Sequence, residues 1–196
     1  EENYGSTTDI FNEENGIKAL VYQSYTKINN LYGGDPFPYF VEQGTDLFLR
    51  GGNSGDRGLC DYYGLDASSG NVSWLWNHCY KALANINMFF ETIDDVPFKD
   101  ESEKDQYKAE MLVMRSMFLW IITETWGDSY LPRSTDEKEG MEARRSPRSD
   151  FYKEIIGGLE QAIQMLPDQR TSEFGRIDAP AAKAFLSRMY LYNQQF

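Results

Sequence analysis

The chain has 196 residues with 41% hydrophobic and 15% aromatic content, enough to bury a sizeable core and to argue against intrinsic disorder. Its 31 acidic against 19 basic side chains give a formal charge of −12, which repels phosphate backbones and anionic lipid surfaces and excludes nucleic acid as a favoured partner. No stretch approaches the roughly 20 consecutive apolar residues of a membrane-spanning helix, and the opening Glu1-Glu2-Asn3-Tyr4 lacks a basic n-region and an apolar h-region, so a soluble, all-α protein is predicted.

Five segments repeat apolar residues at helical spacing between recognisable start and stop signals. The first is predicted from about Asn12 to Leu31, with Ile17, Leu20, Val21, Ser24, Ile28 and Leu31 on one stripe and Gly33-Gly34 at its end. From Tyr32 to Ser73 the periodicity stops. This stretch, residues 32–73, holds nine of the sixteen glycines and the aromatics Tyr32, Phe37, Tyr39, Phe40, Phe48, Tyr62 and Tyr63. An irregular run longer than roughly 12 to 15 residues in a compact domain is usually functional or disordered, and these aromatics argue against disorder.

The second helix is predicted to start with Ser73 as N-cap and to turn Trp76, Tyr80, Leu83, Asn87, Phe90 and Ile93 inward until Pro97. Trp74 then lies about 200° from Trp76 around the helix and faces elsewhere. The third, Ser102 to Trp126, opens on a Ser102/Asp105 cap, carries Tyr107, Met111, Met114, Phe118, Ile121 and Ile122, and ends at Gly127. The fourth begins with Ser149 as cap and runs through Phe151, Ile155, Leu159, Ala162 and Leu166 to Pro167; Gly157-Gly158 weakens its middle and permits close approach of a neighbour. The fifth opens on Asp178 with Pro180 in the first turn and runs through Phe185, Leu186, Met189 and Tyr192. Its ending at Leu191 to Phe196 without a C-cap reads as a break inside or just after a helix. Nothing reads as a sustained sheet; short hairpins fit only at Tyr39 to Arg50 or between Tyr130 and Arg145.

The side chains offer little for catalysis. His78 is the only histidine, and Cys79, its neighbour on a helix, projects about 100° away, so the two cannot act as base and nucleophile. Two cysteines, Cys60 and Cys79, lack C-x-x-C spacing, which argues against structural zinc and leaves one disulfide and two buried thiols both open. No cofactor or metal is expected. The run Gly51 to Gly58 lacks the Gly-Lys-Ser/Thr ending of a phosphate loop, and Asn71-Val72-Ser73 is a glycosylation sequon too short to weigh. Paired carboxylates such as Asp94-Asp95 leave an acid/base glycosidase open. The more informative feature is aromatic: a tryptophan or tyrosine ring offers a flat face to the C–H face of a sugar while Asp, Asn and Arg neighbours bond its hydroxyls.

Four stretches, in order, carry a family resemblance. Trp76 to Asn87 looks like the W-x-x-x-Y-x-x-I-x-x-x-N helix of the SusD/RagB family of Bacteroidetes outer-membrane glycan-binding lipoproteins. Lys108 to Phe118 is similar to its A-E-x-x-F-x-R-A-x-x-Y helix, followed by Trp126-Gly127-Asp128-Ser129-Tyr130-Leu131-Pro132 in place of F-G-x-x-P-L. Arg145-Ser146-Pro147 through Leu166-Pro167 forms the third, and Gly175 to Tyr192 resembles G-R-x-T-x-x-A-A-x-A-L-L-A-R-x-Y-L-Y. Departures are mild: Asp178 stands for threonine, Phe185 and Ser187 for leucine and alanine, and Gly157 for a polar residue.

The resemblance implies a tetratricopeptide-like helical-repeat scaffold spanning residues 1–196, with long irregular loops carrying a shallow glycan site. It also implies a surface-exposed outer-membrane lipoprotein with its anchor upstream, a SusC-like TonB-dependent transporter as partner, and capture of an oligo- or polysaccharide without catalysis. Members are longer, so the chain reads as the N-terminal part. Because recognition in the family sits in variable loops, the site residues rest on chemistry: Trp74, Tyr62 and Tyr63 as stacking platforms, with Asp46, Asn53 and Arg57 as hydrogen-bonding partners. Trp76, Tyr80 and Arg115 are read as structural. The competing reading is a helical-repeat scaffold that docks the transporter without touching ligand.

Overall fold

The computed structural model describes residues 13–33, 40–42, 44–46, 59, 65–168 and 174–194. Its elements in chain order are α1 (Glu14–Tyr32), α2 (Gly70–Thr92) with a 3-10 turn (Ile93–Asp95), α3 (Glu101–Trp126), β1 (Ser129–Tyr130), α4 (Glu137–Met141), β2 (Arg145–Ser146), α5 (Arg148–Met165) and α6 (Ala179–Tyr192). Helices α2 and α3 form one pair and α5 and α6 another, with α3 and α5 sharing the most extensive contact and α1 resting on α2 and α3. This all-helical, paired arrangement is the predicted fold class. None of the described helices is long and apolar enough to cross a membrane.

Helix α3 is central because its apolar and small residues run around the whole cylinder. Tyr107, Ala109, Met111, Val113, Met114, Phe118, Leu119, Ile121 and Ile122 are all buried, so α3 can be covered by α1, α2 and α5 at once. Gly158 of α5 permits the closest approach: a Cβ there would sit 3.3 Å from Ser116 Oγ, and the Ser116 hydroxyl donates to the Leu112 and Ile155 carbonyls. Gly157 has open space around it, so only the second glycine serves the packing. The short link between α2 and α3 is closed by Lys104, whose buried ammonium donates to the Asp94 and Val96 carbonyls.

Several helix starts differ from the predicted ones. α2 begins one turn before Ser73, because Asp66 and Ser69 build a turn that launches it: Asp66 Oδ1 accepts from the Ser68 N–H at 2.8 Å, and the Asp66 N–H donates to Ser69 Oγ at 3.1 Å. The Ser73 hydroxyl donates back to Ala67 O instead. α3 is capped by Asp100, which accepts the Ser102 N–H at 2.9 Å; a carboxylate one residue upstream of the helix outcompetes the Ser102/Asp105 arrangement. α5 begins at Arg148 rather than after Ser149, and Asp128, from the far end of α3, accepts its first N–H at 3.0 Å. Asp178 caps α6 as predicted, accepting the Ala181 N–H at 2.9 Å. Gly127 closes α3 with φ +69° and ψ −136°, a conformation that favours glycine. At the other end of α6, Gln194 takes φ 56°. Strands β1 and β2 pair antiparallel, Tyr130 opposite Arg145, at the second of the two places where a hairpin fitted the sequence.

Candidate functional site

The inward face of α2 is Leu75, His78, Cys79, Ala82, Leu83, Ile86, Asn87 and Phe89; it shares Leu83 and Asn87 with the predicted stripe and leaves out Trp76, Tyr80 and Phe90. The polar residues Asn77, Lys81 and Asn85 recur at helical spacing and mark the outer side, which Asn77 and Lys81 take up, so the inward side in the first turns centres on Leu75 rather than on Trp76. Leu75 is the buried centre, and Trp74 and Trp76 flank it about 100° to either side. The predicted inward placement of Trp76 is therefore corrected; it is 37% exposed. The predicted outward placement of Trp74 is corrected as well, because it is half-buried against the core. Its indole stacks on His78 with centroids 4.7 Å apart and planes at 17°, leaving only its opposite face to stack on anything else.

His78 is a structural residue. Its Nε2 lies 2.8 Å from the Lys27 carbonyl, tying α2 to α1, and burial depresses its basicity. Burial likewise pushes the Cys79 thiol up to about 12, so Cys79 is a free, protonated packing residue.

Of the residues predicted to bind ligand, Trp74 and Asp46 lie among the described ones, Asp46 exposed beside Gly44, whose φ is +84°. Tyr62, Tyr63, Asn53 and Arg57, as well as Cys60, lie outside the described residues. What the structure shows of the 32–73 excursion is its footing. Phe40 packs against the core, Leu59 is buried, and the Asp66 turn delivers the chain into α2 beside Trp74. The Asp66 carboxylate is held below the usual range by the Ser68 and Ser69 groups that donate to it.

A second aromatic group was read as structural from the sequence. Trp76 meets Trp126 edge to face, centroids 5.1 Å apart and planes at 89°, and leans on Tyr80 at 4.5 Å. Tyr80 in turn lies parallel to Tyr130 and donates its hydroxyl to the Tyr130 carbonyl at 2.7 Å. Tyr80 is thus the strut its reading implied, whereas Trp76 forms an exposed corner with Trp126. Exposure of Trp76 was hidden because a tryptophan in an amphipathic repeat is counted as core by pattern alone.

The remaining motif residues are framework. Arg115 donates to Asn87 Oδ1 and, at 2.8 Å, to the Pro132 carbonyl, while Asn87 donates to Ser134 O at 3.1 Å. The loop after α3 is thereby bonded to both α2 and α3. Glu110 and Arg176 form an ion pair at 2.8 Å in which the carboxylate is 0% exposed; the guanidinium also lies 4.9 Å over the Tyr107 ring. Burial raises the Glu110 pKa against the opposing pull of Arg176. Beside it the Ile177 N–H donates to the Tyr25 hydroxyl at 2.9 Å, so the entry to α6 is fastened to α3 and α1.

Comparison with known proteins agrees with this geometry. A SusD-like family model described as "Starch-binding associating with outer membrane" matches residues 12–191. The SusD-like protein P2 of Formosa agariphila is 25% identical over 94% of this chain and 40% of its own length. A SusD-like protein of Bacteroides fragilis superposes with a TM-score of 0.78 at 25% identity over 97% of this chain and 37% of its own. A laminarin-binding SusD-like protein superposes with a TM-score of 0.81 at 24% identity over 93% and 41%, a likeness of fold. The chain spans about two fifths of the length of these relatives. With the family model matched along almost all of its residues and its motif residues serving as the fasteners of the scaffold, the chain belongs to the SusD-like family.

Proposed function

We propose that this chain is the N-terminal part of a cell-surface lipoprotein that captures an oligo- or polysaccharide and delivers it to a SusC-like TonB-dependent transporter. The match of the starch-binding family model over residues 12–191 carries this reading, and the likeness to a protein named for laminarin binding supports it. The fold supplies the physical logic: the regular helices are fastened by Glu110–Arg176 and by Asn87–Arg115, while the aromatic, Gly-rich excursion 32–73 breaks the helical periodicity of the sequence and suits recognition.

In this reading Trp74, Tyr62 and Tyr63 stack on sugar rings, Asp46, Asn53 and Arg57 bond hydroxyls, and the chemistry is binding without catalysis. No step requires a metal. The test is a panel of polysaccharides offered to the full-length protein, with product analysis after prolonged incubation. Saturable, calcium-independent binding with intact glycan is expected. Capture of the transporter without affinity for any glycan would favour the pure docking scaffold, and hydrolysis products would favour a glycosidase.

A further inference from the structure

Of the two glycines in the middle of α5, Gly158 serves the contact with α3 and Gly157 serves no packing. A Cβ at Gly157 would meet nothing within 4 Å, and the residue is exposed, yet glycine inside a helix is destabilising relative to alanine. What the missing side chain leaves open is a cleft of about 400 Å3 between the two helices. Its lining includes Leu112 and Arg115 of α3 and Lys153, Glu154, Gly157 and Gln161 of α5. The volume falls at the low end of the roughly 300–1,000 Å3 of small-molecule sites.

Part of the wall is fixed before a ligand arrives. Arg115 donates to the Pro132 carbonyl at 2.8 Å and to Asn87 Oδ1, and Glu154 accepts from Arg133 Nε at 3.3 Å, which limits the ordering cost of binding. Lys153 and Gln161 are exposed, and their side chains make no hydrogen bond or ion pair among the described residues. The lining carries both signs: an anion meets the Glu154 carboxylate, and a cation meets Arg115 and Lys153. Neither ionic class matches it. A ligand whose polar groups both donate and accept does, because the Lys153 ammonium donates, a Glu154 oxygen accepts and the Gln161 amide does each. Leu112, half-buried against the core, adds an aliphatic patch.

We propose that this cleft holds one hexopyranose unit of a neutral glycan. The sugar hydroxyls accept from Lys153 and Gln161 and donate to Glu154, while a C–H face lies on Leu112 and the bare Cα of Gly157. The described lining holds no aromatic ring, so selectivity follows the pattern of hydroxyls rather than stacking. The inference rests on the capture reading and adds to it a subsite on the helical scaffold, separate from the 32–73 excursion.

The test titrates the full-length protein, with labelled leucine methyls, with the methyl β-glycosides of glucose, galactose and mannose and with methyl β-glucuronide. Saturable shifts of the Leu112 methyl resonances are expected with at least one neutral glycoside. K153M and Q161A should each weaken that binding about fivefold. G157A, whose methyl has open space, should keep it. G157Q, which puts a long side chain into the cleft, should abolish it with an unfolding midpoint at or above that of the parent. Leu112 methyls that respond to no neutral glycoside, or a response that survives G157Q, overturn the inference. A midpoint lowered by G157Q, or a glucuronide bound more tightly than every neutral glycoside, overturns it too. Polysaccharide binding that persists in any of these cases leaves glycan capture standing, whereas a protein that binds no glycan overturns both.

Discussion

Replacing Arg176 with methionine removes the guanidinium from a carboxylate that has no access to water. Glu110 Oε1 accepts from Arg176 Nε at 3.0 Å and from Gln106 at 2.9 Å and lies 2.8 Å from Arg176 Nη2, and the Tyr25 hydroxyl also bonds the carboxylate, so R176M leaves it with neutral donors alone. Breaking a buried pair from one side costs about 3–5 kcal/mol, a large part of the ~5–15 kcal/mol that holds a typical domain together. The pH dependence follows from the direction of the Glu110 shift. Burial sets its folded pKa above the ordinary 4.5, so folding favours the protonated form. Its stabilising contribution is complete below 4.5 and is lost as pH rises through the folded value. Without Arg176 the folded value rises further, and the ionised state becomes still less favourable. Urea unfolding followed by circular dichroism should show the deficit of R176M at its largest near neutral pH and shrinking as pH falls toward 4.5. E110Q/R176M, which buries no charge, should recover part of it. A deficit below about 1 kcal/mol at neutral pH, or one that does not change with pH, would refute the argument.

His78 is the only histidine, so its C2 proton gives a single resonance; it should titrate below 6.5 in the folded protein and return toward that value in denaturant. A depressed folded pKa means that its contribution to stability is present above 6.5 and lost as pH falls through the folded value, and a folded titration above 6.5 would contradict the burial argument. D178A removes the acceptor of the Ala181 N–H and should cost about 1 kcal/mol in thermal unfolding, with D178N nearly neutral. G127A forces a Cβ into φ +69°, ψ −136° and should cost about 1–3 kcal/mol; an unchanged melting temperature would mean that the end of α3 is not set by this residue.

The helices were legible because caps and stripes agree at most positions. Asp178 with Pro180, Gly127, and the Ile17, Leu20, Val21 and Ser24 stripe are local signals with local outcomes. The first residues of α2, α3 and α5 were less so: the Asp66 turn, the Asp100 cap and the Asp128 contact each come from just upstream or from another element. The phase of α2 was legible in part: Leu83, Asn87 and Ile93 are buried as the predicted stripe has them, but a stripe anchored on Trp76 instead of Leu75 misplaces the first turns, although Asn77 and Lys81 mark the outer side. Both Trp74 and Trp76 flank the buried Leu75, which turns one toward His78 and the other to the exposed corner with Trp126. The Glu110–Arg176 pair joins two motifs 66 residues apart, a contact that no spacing rule predicts.

Calorimetric titration of the full-length protein with whichever polysaccharide the panel identifies, compared with its W74A/Y62A/Y63A variant, tests the central claim most directly. Glycan capture on the excursion predicts saturable binding by the parent and loss of most of that affinity in a variant with an unchanged unfolding midpoint. Equal affinity in the two proteins would contradict it.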